Sequence, residues 1–203
     1  MMLINPYVFG AGGPPPGPAV TWNPADKDPG ITLGPGDLNA INGSGVGAYK
    51  AVRATKGIPH TASGYFEIRM ASLGSPGYAV AGVATATQVL NSFVGSGTDG
   101  WGYYADTGGK VTGGGPVAYG SPYTGGDVLG FAFKNGKVWF AKNGVWQAGG
   151  DPAAGTGEAF SGITGTIYPI VSLFEGGANE TATGRFAAGS FSYAVPTGFV
   201  PWE

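Results

Sequence analysis

The chain contains no cysteine. That excludes disulfides, thiolate metal sites and cysteine nucleophiles together. A single histidine, His60, leaves no multi-histidine metal centre. Charge is scarce as well: Asp, Glu, Lys and Arg make up 11% of 203 residues, with a net charge of −2. Ten thinly spread cations form no basic stripe to follow a phosphate backbone, which argues against nucleic acid as a partner. No apolar run approaches the roughly 20 residues needed to span a bilayer, so membrane insertion is not expected. The opening MMLINPYVF has no basic residue and is too short for a signal peptide, so export by the general secretory route is not expected either. Such low charge suits a subunit of a larger, multi-copy assembly better than a free monomer.

What the chain does have is turns and aromatic residues. Forty-one Gly and 16 Pro stand beside 42% hydrophobic and 13% aromatic residues. Disordered chains lack those aromatics, so the Gly and Pro read as turns between short strands. Asp127 to Trp146 carries two Asn-Gly pairs, Asn135-Gly136 and Asn143-Gly144, with six residues between them. Asn-Gly between β-formers signals a type I′ hairpin, because both central residues need positive φ. The spacing predicts a three-strand meander over 128–134, 137–142 and 145 onward. It sets Phe133 against Val138 and Phe131 against Phe140, with Trp139 opposite Ala132 on the other face. Bulk on both faces predicts a strand covered on both sides.

Further strands are expected at 31–33 and 38–41 as a small hairpin, and at 49–55, 64–71, 78–85, 100–104 and 117–119. In 64–71, Phe66, Ile68 and Met70 point one way and Tyr65, Glu67 and Arg69 the other. A strand at 167–174 contains Pro169, which suggests an edge or a bulge. A last strand is expected over 184–193, and 195–202 closes the chain. Ten to twelve short strands without an amphipathic helix indicate an all-β, two-sheet antiparallel β-sandwich over 19–203. Residues 1–18 precede it as an extended arm: an apolar stretch and then the linker GAGGPPPGP, extended by its Pro triplet. The arm is either a frayed end or a docking anchor built on Leu3, Ile4, Tyr7, Val8 and Phe9.

No catalytic chemistry stands out. A retaining glycosidase needs two carboxyl groups about 5–5.5 Å apart. The one i, i+2 acidic pair, Asp26 and Asp28, sits in a Pro-bounded turn, and Glu67 is alone on its strand, with Arg69 as a possible ion-pair partner. His60 follows Pro59 in a turn with no G-x-S-x-G elbow to serve. Asp26-Lys27-Asp28 is too short for a calcium loop, and the glycine runs at 108–109 and 113–115 lack the GK[ST] of a phosphate loop. No catalytic residue, metal or cofactor is expected.

The order of motifs resembles the SPRY domain, a lectin-like jelly-roll sandwich related to the concanavalin type. The matching pieces are Trp22-Asn23-Pro24, GYFEIRM at 64–70, GYAVAGVA at 77–84 and GWGYY at 100–104. GDVLGFAF at 126–133, WFAKNGVW at 139–146, YPIVSLF at 168–174 and FSYAVPTGF at 191–199 continue the series. The turn 134–137 is shorter than the family's usual Asp-rich one, and the RING, B-box and coiled-coil companions of animal ubiquitin ligases are missing. With GDPAAGTG at 150–157, the chain looks more like stand-alone SPRY proteins of bacteriophages.

That resemblance implies a non-enzymatic virion protein, in a tail, fibre or head decoration. Its partners would be other virion proteins, or a host-surface protein or glycan. A host-polysaccharide-binding or carbohydrate-active lectin-like protein is the alternative. SPRY partners contact a shallow surface made by loops at one end of the sandwich. The corresponding loops here are 86–99, 105–126, 147–163 and 175–183, with Asn91, Phe93, Tyr119, Tyr123, Phe160 and Asn179 as candidate contacts. For Phe93, Tyr119 and Phe160 the competing reading is that each folds back onto the core. Trp22, Trp101, Trp139 and Trp146 are expected in packing.

Overall fold

The computed structural model describes residues 19–43, 47–74, 77–174 and 179–203. Their first half supplies β1 (Trp22–Lys27), β2 (Ile31–Leu33), β3 (Asn39–Asn42), β4 (Tyr49–Ala54), β5 (Ile58–Pro59), β6 (Ser63–Ser72) and β7 (Val80–Ala84). The second half adds β8 (Gly100–Tyr104), β9 (Lys110–Val111), β10 (Val128–Lys134), β11 (Lys137–Lys142), β12 (Val145–Trp146), β13 (Thr166–Phe174) and β14 (Glu180–Arg185). Helical structure among the described residues is limited to three 3-10 turns at 35–37, 147–149 and 188–190.

Two seven-stranded antiparallel sheets face each other. One runs β1-β4-β13-β7-β8-β9 with β5 beside β13; the other runs β12-β11-β10-β6-β14-β3-β2. The Asn-Gly turns set the centre of the second sheet as expected. Asn135 and Asn143 both have φ 49°, Gly136 has φ 70° and Gly144 φ 78°. Phe133 pairs with Val138, Phe131 with Phe140 and Ala132 with Trp139. Phe131 then stacks on Phe66 of β6, with ring centroids 4.7 Å apart and 10° between planes. Phe66, Ile68 and Met70 lie in the core between the sheets, while Tyr65 joins Trp139 on the outer face. Period-two alternation therefore gave the right faces.

Three expectations change. Pro169 lies in β13, an interior strand rather than an edge. Its position explains the tolerance: pairing with β5 ends at Ile167 and pairing with β4 begins at Ile170, so proline costs no ladder bond on that side. Val117 to Tyr119 is no strand; Val117 makes one isolated bridge with Lys110. The last strand occupies 180–185, not 184–193.

Residues after β14 form a strap across the second sheet instead. Because β14 leaves β6 after Arg185–Glu67, the start of β6 has a vacant side, and the chain end fills it. Tyr65 N donates to Val200 O (2.8 Å) and Trp202 N to Tyr65 O (3.0 Å), a parallel bridge at Pro201. The Trp202 side chain enters the core at 1% exposure. Gly64 makes room for it, since a Cβ there would lie 2.4 Å from the indole. On the outer face Phe199, Phe191 and Val195 cover Tyr65 and Trp139.

Candidate binding surface

The outer face of the first sheet follows from strand parity. Ala51, Ile170, Val80 and Ala84 point outward, in step with Gly82, Gly100 and Gly102. These small groups let the loop 86–99 lie flat on the sheet: a Cβ on Gly102 would come 2.9 Å from Val94 O. Val94 N donates to Ser172 Oγ (3.2 Å), fastening the loop at its middle. Arg53, at 5% exposure, binds both Asp26 oxygens (2.6 and 2.7 Å) and Gln88 O (2.6 Å), fastening the loop's start.

At one end of the same face the outward residues become large. Tyr49 opens β4, Phe174 closes β13, Tyr78 precedes β7 and Tyr104 closes β8. Register brings them together, since Phe174 pairs with Tyr49 and Val80 with Tyr104. Tyr49 contacts Phe174 and Phe93 at centroid distances of 5.0 and 5.3 Å, and Tyr78 contacts Phe174 at 5.3 Å. The buried Glu180 carboxylate accepts from Phe174 N (2.6 Å) and Gly74 N (3.2 Å), which holds that strand end in place. All five rings are half-buried. Beside three of them lies a cleft of about 260 Å³, lined by Tyr49, Phe93, Tyr104, Val111, Gly115 and Pro116. Its lining carries no charge; the polar atoms at hand are the Tyr49 and Tyr104 hydroxyls and backbone.

A second hollow of about 280 Å³ lies at the hairpin tip, between Lys134, Lys137, Trp139 and the loop 152–155. Its lysines and the Trp139 indole already have partners. Lys137 pairs with Glu158 (3.0 Å) and donates to Gly155 O (3.2 Å). Lys134 donates to Gly198 O (3.3 Å) over the Phe199 ring, and Trp139 Nε1 donates to Thr156 O (2.8 Å). This corner is scaffold.

The sequence-predicted contacts separate. Phe93 lines the cleft. Asn91 is exposed on the same loop, and Asn179 is exposed beside Gly43. Tyr119 and Phe160 come together elsewhere, on either side of Lys110 and against Phe140, at the rim of the core. Tyr123 is a core residue at 3% exposure, its hydroxyl within hydrogen-bond distance of the Tyr103 and Ala79 carbonyls (2.9 and 3.0 Å), so it offers a ligand no surface. Leu3, Ile4, Tyr7, Val8 and Phe9 lie outside the described residues, as do 175–178 of the last candidate loop. Sequence reasoning missed Tyr49, Tyr104 and Phe174, which are strand ends, and Tyr78, just ahead of β7.

Asp26, Asp28 and Glu67 are committed to structure. Asp26 serves Arg53, while Asp28 caps Gly30 N (2.8 Å) and meets Lys50 (3.5 Å). Glu67 pairs across the sheet with Arg185 (3.3 Å), not with Arg69. Among the described residues no three His, Asp or Glu side chains gather as a metal site.

Burial pushes the phenols of Tyr49, Tyr65, Tyr103, Tyr104 and Tyr123 up, and that of Tyr119 up to about 12. For Tyr49 the hydrogen bond to Tyr104 adds to burial. Unfolded tyrosines ionise near pH 10, at about their unperturbed value. The raised groups therefore contribute stability that is complete below about pH 10 and is lost as pH climbs toward the folded values. At about pH 11 the folded chain should show much less phenolate absorbance than the same chain in denaturant. An alkaline titration checks this; equal absorbance in the two states would contradict it.

The profile of the SPRY domain matches residues 63–187. Ran-binding protein 9 of Xenopus laevis is 30% identical over 194 residues, covering 92% of this chain and 33% of its own length. The Ran-binding proteins 9/10 homolog of Drosophila melanogaster is 31% identical over 160 residues, covering 75% of this chain and 16% of its own. The chain thus spans a third or less of these relatives. Among solved structures, a human SPRY domain superposes with TM-score 0.64 at 19% identity, over 77% of this chain and 94% of that one. The SPRY domain of human HERC1 does so with TM-score 0.64 at 17% identity, over 81% and 96%. The two structures match in fold and the profile in sequence, and on that combined ground the chain belongs to the SPRY domain family.

Proposed function

We propose that the chain is a non-enzymatic binding module whose aromatic cleft takes a short, uncharged segment of a partner protein. The cleft carries the reading. Half-buried aromatic rings offer broad apolar contact at low entropic cost, with phenolic tips to orient a peptide. A glycan is a poorer fit, because its hydroxyls would be desolvated against a lining without carboxylate or amide side chains.

Gly115 provides the test. It borders the cleft, and a Cβ there meets no atom within 4 Å, so a side chain can be added without disturbing the fold. Peptides selected by display on the wild-type chain should bind Gly115→Glu at least about tenfold more weakly, with the melting temperature unchanged. Undiminished binding would refute the cleft as the site.

A finer reading places the module in a bacteriophage particle, as a tail, fibre or head accessory subunit anchored through residues 3–9. It draws support from the low charge and from the likeness of 150–157 to stand-alone phage proteins; the relatives named above are animal proteins. Mass spectrometry of purified particles checks it.

A further inference from the structure

We propose that the partner segment taken by the aromatic cleft is proline-rich and binds as a polyproline II helix. This rests on the cleft being the binding surface. The choice follows from the hydrogen bonds the site can make. Among the lining side chains only Tyr49 and Tyr104 carry a polar atom. Their hydroxyls bond each other, and the pair keeps one O–H free to donate to a ligand. Acceptors are scarce, because no carboxylate or amide side chain lines the cleft. The carbonyls of Phe93, Gly95, Tyr104 and Lys110 around it already accept from Ser96 N, Gly114 N, Gly108 N and Val117 N. A segment that offers carbonyls but brings few N–H groups therefore loses least on entering. Proline is the residue without a backbone N–H.

Other modes of peptide capture meet obstacles here. Strand addition needs an open sheet edge. β9 is the edge strand at the cleft, and Val117 closes its outer side. Lys110 N donates to Val117 O and Val117 N to Lys110 O, both at 2.9 Å. Gly113 N and Gly114 N are taken by Gly97 O (2.8 Å) and Gly95 O (3.0 Å). An amphipathic helix lays side chains from successive turns into a long groove, whereas about 260 Å³ admits one or two side chains. Phosphate and acidic motifs are held by arginine clusters, and the lining has no Arg or Lys. A polyproline II helix has no internal hydrogen bonds and arrives already ordered. It docks on aromatic-lined grooves, and Tyr49, Phe93 and Tyr104 supply such walls.

Two display libraries of short peptides test this on the full chain, one with prolines fixed three positions apart and one without proline. Binders that weaken at least about tenfold on Gly115→Glu should come from the first library alone. Replacing a fixed proline in them by alanine, which restores an N–H, should cost at least about tenfold in affinity. N-methylalanine, which removes the N–H again, should recover most of that loss. Three results would overturn the proline reading and leave the cleft standing: Gly115-dependent binders from the proline-free library, alanine tolerated at every fixed proline, or N-methylalanine no better than alanine. Binders that ignore Gly115, or none from either library, would overturn the cleft as the site and the proline reading with it.

Discussion

Trp202→Ala is expected to cost about 3–5 kcal/mol of stability, in the range of large buried aromatic truncations. The indole is fully inside the core, edge-on to Phe66 at 5.2 Å and near Phe133 at 6.3 Å. Its Nε1 donates to Lys56 O (3.0 Å). Gly64 beneath it has no side chain to fill the void, so the site collapses poorly. Single domains have about 5–15 kcal/mol in total, so this one change should lower the urea midpoint sharply. Val200→Ala, two residues away and 55% exposed, should stay within about 0.5 kcal/mol. Comparable midpoints for the two variants would mean that the strap is not integral to the sandwich.

Glu67→Ala is the second large effect, about 3–5 kcal/mol, because it removes a buried carboxylate that accepts from four donors and leaves them without their charged acceptor. At 0% exposure the Glu67 carboxylate accepts from Ser192 N (2.7 Å), Tyr193 N (2.9 Å), Tyr65 Oη (3.0 Å) and Arg185 Nη1 (3.3 Å). It is the clamp that fixes the strap to the outer face. Hydrogen exchange at the Ser192 and Tyr193 amides should accelerate in the variant, and the Tyr65 phenol, raised by burial and by this carboxylate, should move down. Unchanged exchange at 192–193 would show that apolar contacts alone hold the strap.

The two variants mark where sequence reasoning ended. The meander was legible because an Asn-Gly turn sets its own register: φ at Asn135 and Gly136 is a local matter, and Phe131–Phe140 follows from it. Tyr65 to Met70 was legible by alternation. Glu67 was misread because Arg185 and residues 192–193 lie more than 110 positions away, whereas Arg69, two positions along the same strand and exposed, was the cation visible nearby. Trp202 gave no periodic signal, since it belongs to no strand and fills a space left by β14. At the binding surface only Phe93 was found. The expected loops 86–99 and 105–126 do supply Phe93, Val111 and Gly114 to Pro116, but Tyr49 and Tyr104 are strand ends; the usable hint was the small-residue face Gly100, Gly102 ending in Tyr104, a platform with a wall.

Hydrogen exchange of the full chain, with and without a saturating display-selected peptide, tests the central claim most directly. The cleft account predicts new protection at 90–95, at Tyr104 and over 111–116, with the hairpin tip at 134–137 and the loop 152–155 unchanged. Protection confined to 134–137 and 152–155 would contradict it and move the site to the lysine-flanked hollow.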